Sequence, residues 1–391
     1  MKKILLVGGT FDDNGGKPSG LINKLAESIG EDFALTVKNG GKFEELKDTL
    51  ETAADYDYVF WFANVDNSKE KIRDVKSVAP HCMLITSKRN DNQKYSLEDL
   101  LQRALAAKAN LCFEFSKAND KMFNIRVFDP LGCVWHDGLD ITEAMKITLD
   151  RLDYLSSVTR KQSVEEEAVT PVQFSDKDRE FLDIVKTSAG TFHSLMCLPP
   201  DVKRFVGNAS IRFKTPTRCM SGFPAIRKKS NTLFASIDSA HNQGITKDDY
   251  VLISRRNVDK TGISEKNFVV CRLDTDGNTI YEGTAKPSVD TPVQLRLFKA
   301  LPNIDYILHG HCYAKSASFT DRAIPCGAVE EVDAVLNAIG SNTNLGFYKI
   351  NLKGHGCLIM ANEDHLRDMK KVEFYARPIP EVIENGDLDY N

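Results

Sequence analysis

The chain has 391 residues, of which 42% are hydrophobic and 27% charged, with a formal net charge of −4. That length suggests two domains, each able to bury its own core. The small net charge, with no basic run or Lys/Arg stripe, argues against nucleic acid as a partner, and no apolar stretch is long enough for a membrane span or a signal peptide.

A cytoplasmic protein without a membrane partner is therefore expected. In the first half, "KKILLVGG", "FALTVKNG", "DYVFWFANV" and "CMLITSKRN" read as strands, rich in β-branched and aromatic residues and closed by turn formers. Between them "SGLINKLAESIG" and "KFEELKDTLETAA" carry apolar residues at helical spacing. A helix "LEDLLQRALAAKA", strands "LCFEFSK" and "FNIRVFD", and a long amphipathic helix "ITEAMKITLDRLDYLSSV" follow. Strands alternating with helices predict an α/β, doubly wound parallel sheet, Rossmann-like or flavodoxin-like, over residues 1–160. "FDPLGCVWHDG" reads as a strand and turn with no assigned role.

The glycine-rich stretch "VGGTFDDNGGKPSG" sits between the first strand and the first helix. Its Gly-Gly-Thr-Phe-Asp resembles the start of the nucleotidylyltransferase motif, but no His-x-Gly-His follows. Nor is it G-x-G-x-x-G or a P-loop. Gly8, Gly9 and Thr10 are candidate cofactor-binding residues, because a loop at a helix N-terminus in such a sheet favours anions or nucleotides. The alternative is a loop whose glycines serve tight turns.

"TRKQSVEEEAVTPVQF" has no hydrophobic periodicity and gives a linker over residues 161–175. The second domain, 176–391, opens with a helix for which Ser175 is a suitable N-cap. "ASIRF", "TLFASI", "DYVLISR", "NFVVCRLD" and "TIYEGT" are short strands, and "DTDGN" is a hairpin signal. A helix "TPVQLRLFKAL", a strand "YILHGHCYA", a helix "VEEVDAVLNAIG" and strands "LGFYKINL" and "GCLIMA" complete an α+β domain with a mostly antiparallel central sheet. The nine cysteines are scattered singly and read as reduced core residues. Cys312, Cys326 and Cys357 fall beside the motifs below, which leaves a thiol role open.

Three of the eight histidines lie beside glycines: His309 and His311 in "LHGHC", and His355 in "KGHGC". Alternate residues of a strand share a face, so His309 and His311 can reach one ion. A distant third histidine would give three protein ligands and an open position, as in catalytic zinc sites. A hydrogen-bonded pair of buried imidazoles is the other reading of H-x-H alone.

Residues 277–314 resemble the class II aldolase/adducin family, in which a Pro-Ser-Ser-Glu or Pro-Ser-Ser-Asp segment leads through a helix into a Val-His-Thr-His strand. "GNASIRF", "GITKDDYVLIS", "AIPCG" and "KGHGCLIMAN" are similar to further family segments, in order, over about residues 176–375. The resemblance implies that His309, His311 and His355 bind Zn2+ or another divalent metal. It implies Asp290 at the carboxylate position, as metal ligand or proton-transferring base, with "PSVDTP" closer to the epimerase pattern. Gly207, Asn208 and Ser288 match substrate-binding positions, and Ser239 is counted with them. Asp321 and Tyr375 are candidate proton donors.

There are departures. Val289 stands where a second serine is expected, Asp238 where a hydroxyl is, and Gln294 where a helix histidine is. A carboxylate beside a substrate phosphate would cost roughly 1–4 kcal/mol, so the substrate lacks a phosphate there or the pocket is reworked. The resemblance implies an aldolase-type lyase acting on a sugar or sugar-phosphate-like hydroxycarbonyl compound, in a homo-oligomer, tetrameric in the family. The alternatives are a ribulose-phosphate 4-epimerase-like isomerase and a non-catalytic metal- or nucleotide-binding regulatory protein.

Overall fold

The computed structural model describes residues 2–29, 33–64, 72, 74, 78, 82–90, 94–107, 109–119, 122–159, 164–166, 172–196, 207–212, 250–274, 277–384 and 387. The chain divides into two compact units. One takes in Met1–Arg160 together with Pro378–Asn391, the other Lys161–Met196 and Arg204–Arg377.

The first unit is built on β1 (Lys2–Asp12), β2 (Phe33–Lys42), β3 (Tyr58–Asn64), β4 (Met83–Arg89), β5 (Leu111–Lys117), β6 (Phe123–Phe128) and β7 (Cys133–Gly138). Strands β2-β1-β3-β4-β5 are parallel, in the order of a doubly wound sheet. The parallel expectation fails at one edge, where β6 and β7 run antiparallel as a hairpin. "FDPLGCVWHDG" makes its turn: Asp129 accepts hydrogen bonds from the backbone N–H groups of Leu131 and Cys133 and from Trp135 Nε1. The last residues return to this unit rather than the second, because β19 (Glu381–Val382) pairs parallel with β7.

The second unit holds β8 (Val164–Glu166), β9 (Asn208–Arg212), β10 (Val251–Ser254), β11 (Phe268–Leu273), β12 (Thr279–Glu282), β13 (Tyr306–Gly310), β14 (Tyr313–Ala314), β15 (Ser318–Phe319), β16 (Phe347–Leu352), β17 (Gly356–Ala361) and β18 (Phe374–Tyr375). Its main sheet runs β15-β16-β17-β13-β9-β10-β11-β12-β8. Seven neighbours, β16 to β12, are antiparallel, and the edge strands β8 and β15 add parallel. The stretch read as a linker thus contributes a strand. "TLFASI" lies outside the described residues.

The central strands are apolar at nearly every position because both faces are covered. Leu252, Ile211, Leu308 and Ile359 join one core with Phe181, Val185 and Phe192 of the helix Asp176–Leu195. Val251, Ile253, Ile307, Leu358 and Met360 join the other with Val293, Leu297 and Phe298 of the helix Thr291–Ala300 and Val335 of the helix Glu331–Ile339. Each such large side chain contributes about 1.5–3 kcal/mol. Ser175 caps the first of these helices in a capping box with Asp178, as its position predicts.

The segment "YILHGHCYA" is not one strand. β13 stops at Gly310, and the pairing resumes only with β14, against β18. A Cβ on Gly310 would lie 2.6 Å from the Phe192 ring, and one on Gly356 would overlap the Gly310 oxygen. Only glycine at both positions lets β17 and the helix Asp176–Leu195 close on this break.

Candidate metal centre

His309 lies on β13, on the face that Ile307 presents to the second core; its cross-strand neighbours are Asn208 on β9 and Leu358 on β17. His311 follows the break at Gly310, and His355 sits in the tight turn between β16 and β17. That turn depends on Gly354 at φ 69°, whose N–H donates to the Tyr313 hydroxyl at 3.0 Å. The three imidazole centroids lie 5.0, 4.7 and 5.1 Å apart. One ring nitrogen of each lies within 4.8 Å of the others'. The sequence expectation of one continuous strand is thus wrong in mechanism, yet both histidines of H-x-H do converge.

Their hydrogen bonds say which nitrogens face inward. His309 Nδ1 is 2.9 Å from the Cys357 carbonyl oxygen, and His355 Nδ1 is 2.9 Å from Glu331 Oε1. Both partners accept, so each Nδ1 carries a proton and Nε2 is the nitrogen left to serve as a ligand. Among the described residues, those two Nε2 atoms, and Nδ1 of His311, are buried with no hydrogen-bond partner. Three orphaned imidazole nitrogens facing one point are costly unless something occupies it. A divalent cation meets that need, and the second-partner bonds are those that orient metal-binding histidines.

Asp290 is the N-cap residue of the helix Thr291–Ala300, but its side chain makes no cap bond. Instead Oδ2 accepts from Asn208 Nδ2 at 2.5 Å and Oδ1 accepts from Cys326 Sγ at 3.0 Å. Oδ2 also lies 3.8 Å from His309 Nε2. Gln294, one turn along the helix, donates from Nε2 to Asn208 Oδ1, which fixes the amide that holds Asp290. Asp290, Cys326 and His355 form a second group of converging ligand atoms that shares His355 with the first.

The electrostatics follow from burial. Burial and then the neighbouring His355 push the His309 pKa down to about 4, against Asp290. His311 is held well below its ordinary value by burial and the other two imidazoles. For His355 burial acts downward, but the charge and hydrogen bond of Glu331 outweigh it and raise the pKa. Burial opposes charge on Asp290, yet His309, His355, Cys326 and Asn208 together hold its carboxyl below the usual range. Burial, then Asp290, drive the Cys326 thiol well above its ordinary value. Lys260, also buried, is pushed down to about 8 by desolvation, against Asp290.

The remaining sequence candidates fall as follows. Gly207 adopts φ 80°, and a Cβ there would overlap the His309 oxygen, so its role is close backbone approach beside the site. Ser288 donates its N–H to the Ser254 oxygen, and its hydroxyl receives the Asp290 N–H at 3.5 Å. Tyr375 pairs with Tyr313, their rings 5.8 Å apart. Asp321 is exposed and in neither converging group. Ser239 and Asp238 lie outside the described residues.

In the first unit, Gly8 packs where a Cβ would overlap Ile22, and Gly9, at φ 79°, lies against the Lys17 carbonyl. Thr10 closes the loop by donating its N–H to the Lys17 oxygen and accepting the Lys17 N–H at its hydroxyl.

Sequence reading misses Glu331 and gives Cys326 only an open thiol role beside the motifs. An acidic residue in the first turn of a helix is ordinary, and only the packing of that helix on β16 brings Glu331 to His355. Arg212, from "GNASIRF", plays a structural part. It donates to the carbonyls of Phe298, Leu301 and Ile304 at the C-terminal end of the helix Thr291–Ala300.

Residues 203–350 match the family model described as Class II Aldolase and Adducin N-terminal domain. His355 and Tyr375 lie beyond the matched residues. A curated relative, the probable L-ribulose-5-phosphate 4-epimerase UlaF of Mycoplasma pneumoniae, is 32% identical over 80 residues, 20% of this chain and 33% of that protein. The chain thus spans about a third of that relative's length. Among solved structures, an aldolase II superfamily protein from Pseudomonas syringae is 12% identical over 50% of this chain and 72% of its own, with a TM-score of 0.29. The DNA/pantothenate metabolism flavoprotein of Streptococcus pneumoniae is 11% identical over 39% of this chain and 99% of its own, also at 0.29. Likenesses that low carry no argument about chemistry. Among the described residues, no helix is long and apolar enough to cross a membrane.

Proposed function

We propose that the second unit is a metal-dependent enzyme of aldolase or epimerase type, acting on a sugar or sugar-phosphate-like hydroxycarbonyl substrate. One observation carries this reading: three buried imidazole nitrogens without hydrogen-bond partners among the described residues, with a carboxylate beside them. His309, His311 and His355 would hold the ion, with Asp290 within reach of it. When bound, a zinc-like ion supplies Lewis-acid stabilisation of negative charge on a substrate oxygen.

The chain's own residues do the rest. Glu331 keeps the proton of His355 on Nδ1, and the Cys357 carbonyl does the same for His309. The relay Gln294 to Asn208 to Asp290 aims the carboxylate. Its lowered pKa leaves Asp290 ionised at neutral pH, ready to accept a proton or to bind the cation. Gly207, Asn208, Ser239 and Ser288 are the proposed substrate contacts, and Asp321 and Tyr375 the proposed proton donors. Lyase chemistry is the first reading. Epimerisation is the second, favoured by aspartate at position 290 and by the matched 80 residues of the epimerase relative. A homo-oligomer is proposed with it.

The test is reconstitution. Metal-free protein is loaded with Zn2+, Co2+ or Mn2+ and assayed for retro-aldol cleavage of ketoses and ketose phosphates, and for epimerisation of pentulose phosphates. Activity that rises with bound metal to one ion per chain is expected. Stoichiometric metal without either activity would leave a regulatory role, and no metal binding would overturn the reading.

A further inference from the structure

Two groups of converging donors meet in the second unit. His309, His311 and His355 form one, and Asp290, Cys326 and His355 form the other. They share His355, whose Nε2 is buried and has no hydrogen-bond partner among the described residues. A shared residue makes the two groups parts of one centre. We propose that Cys326 is a ligand of that centre, binding the ion as a thiolate alongside the histidines. This rests on the metal reading above.

The backbone, rather than a flexible side chain, sets Cys326 in place. Gly327 follows it at φ 80°, and a Cβ there would lie 2.9 Å from both the carbonyl oxygen and Cγ1 of Val289. The turn therefore presses directly on the segment Ser288–Asp290, and Cys326 Sγ meets Asp290 Oδ1 at 3.0 Å. Without an ion the thiol donates to the carboxylate. With one, the thiol proton leaves to solvent, and sulfur and carboxylate both turn their lone pairs to the cation.

Charge balance favours this set. A divalent cation, with the buried Lys260 and Arg377 acting on the same histidines, brings more positive charge than the carboxylates of Asp290 and Glu331 offset, and net charge in a buried site is costly. A thiolate reduces that excess. It also makes the site soft, so that zinc, cobalt and cadmium are preferred over magnesium and manganese.

Full-length, metal-free protein is titrated with Co2+. A sulfur-to-cobalt charge-transfer band in the near ultraviolet, saturating at one ion per chain, is expected. Cys326→Ser is expected to lose that band while keeping the ligand-field bands, with Co2+ affinity at least about tenfold weaker. A second measurement needs no variant: Zn2+ slows alkylation of Cys326, mapped by peptide mass spectrometry, in the unaltered protein. Stoichiometric Co2+ with no charge-transfer band, a band that survives Cys326→Ser, or alkylation indifferent to Zn2+ would each overturn the assignment and leave the metal reading standing. A protein that binds no Co2+ overturns both.

Discussion

Glycine-marked segments in the two units of this chain look alike in sequence and behave differently in structure. In "VGGTFDDNGG" the loop spends its polar groups on itself: Thr10 and Lys17 bond each other through main chain and hydroxyl, and Asn39 binds both the N–H and the oxygen of Ser19. In "LHGHC" and "KGHGC" the glycines also permit close backbone contact, but three buried ring nitrogens have no hydrogen-bond partner among the described residues. Glycine spacing marks close approach in both. Unsatisfied buried donors or acceptors separate a candidate site from a well-closed turn.

The largest expected effect tests that contrast at its core. A zinc-like site of about four ligands is worth about 10–16 kcal/mol, so His309→Ala is expected to cost about 3 kcal/mol of metal affinity, roughly a hundredfold, read by chelator competition. Gly9→Ala is expected to act on folding alone. Its positive φ and the 2.7 Å approach to the Lys17 oxygen predict a loss of about 1–3 kcal/mol in denaturant unfolding, with metal content unchanged. Glu331→Gln sharpens the comparison, since it touches no ion. Zn2+ affinity at alkaline pH is expected to fall about 10–100-fold, as for other partners of metal-binding histidines.

The smallest effect is a slope. Glu331 raises the His355 pKa, so a proton competes with the metal for Nε2 at higher pH than it would at an ordinary imidazole. As pH falls through that raised value, apparent Zn2+ affinity is expected to drop about tenfold per pH unit. His309, already down at about 4, adds nothing until the solution is far more acidic. In Glu331→Gln the onset of the drop should move to lower pH. An unchanged onset would mean that Glu331 does not set the His355 proton.

Much of this was legible in the sequence. The strand "GCLIMA" spans β17 as read, and Ser175 is the N-cap of the helix Asp176–Leu195 as read. His309, His311, His355 and Asp290 do meet. What escaped depends on contacts between distant segments. Nothing local in "VEEE" marks β8, whose pairing to β12 is supplied by another strand's edge. Glu331 and Cys326 look like ordinary helix-start and turn residues until tertiary packing brings them to His355 and Asp290. The break at Gly310 was hidden because periodicity reports which residues alternate, not where a neighbouring backbone presses in.

Finally, the site's residues come from β9, the turn before one helix, the end of β13, the start of another helix and the turn into β17. No short piece of chain carries enough of them to grip an ion. Most of those contacts are long-range, which makes them late and slow to form, so the site exists only when the central antiparallel sheet has closed. An ion that binds there is a ligand of the native state alone. At a hundred times its dissociation constant it should add about 2.7 kcal/mol to the stability of this unit, making thermal melting with and without zinc a direct report on whether the sheet around β13 has assembled.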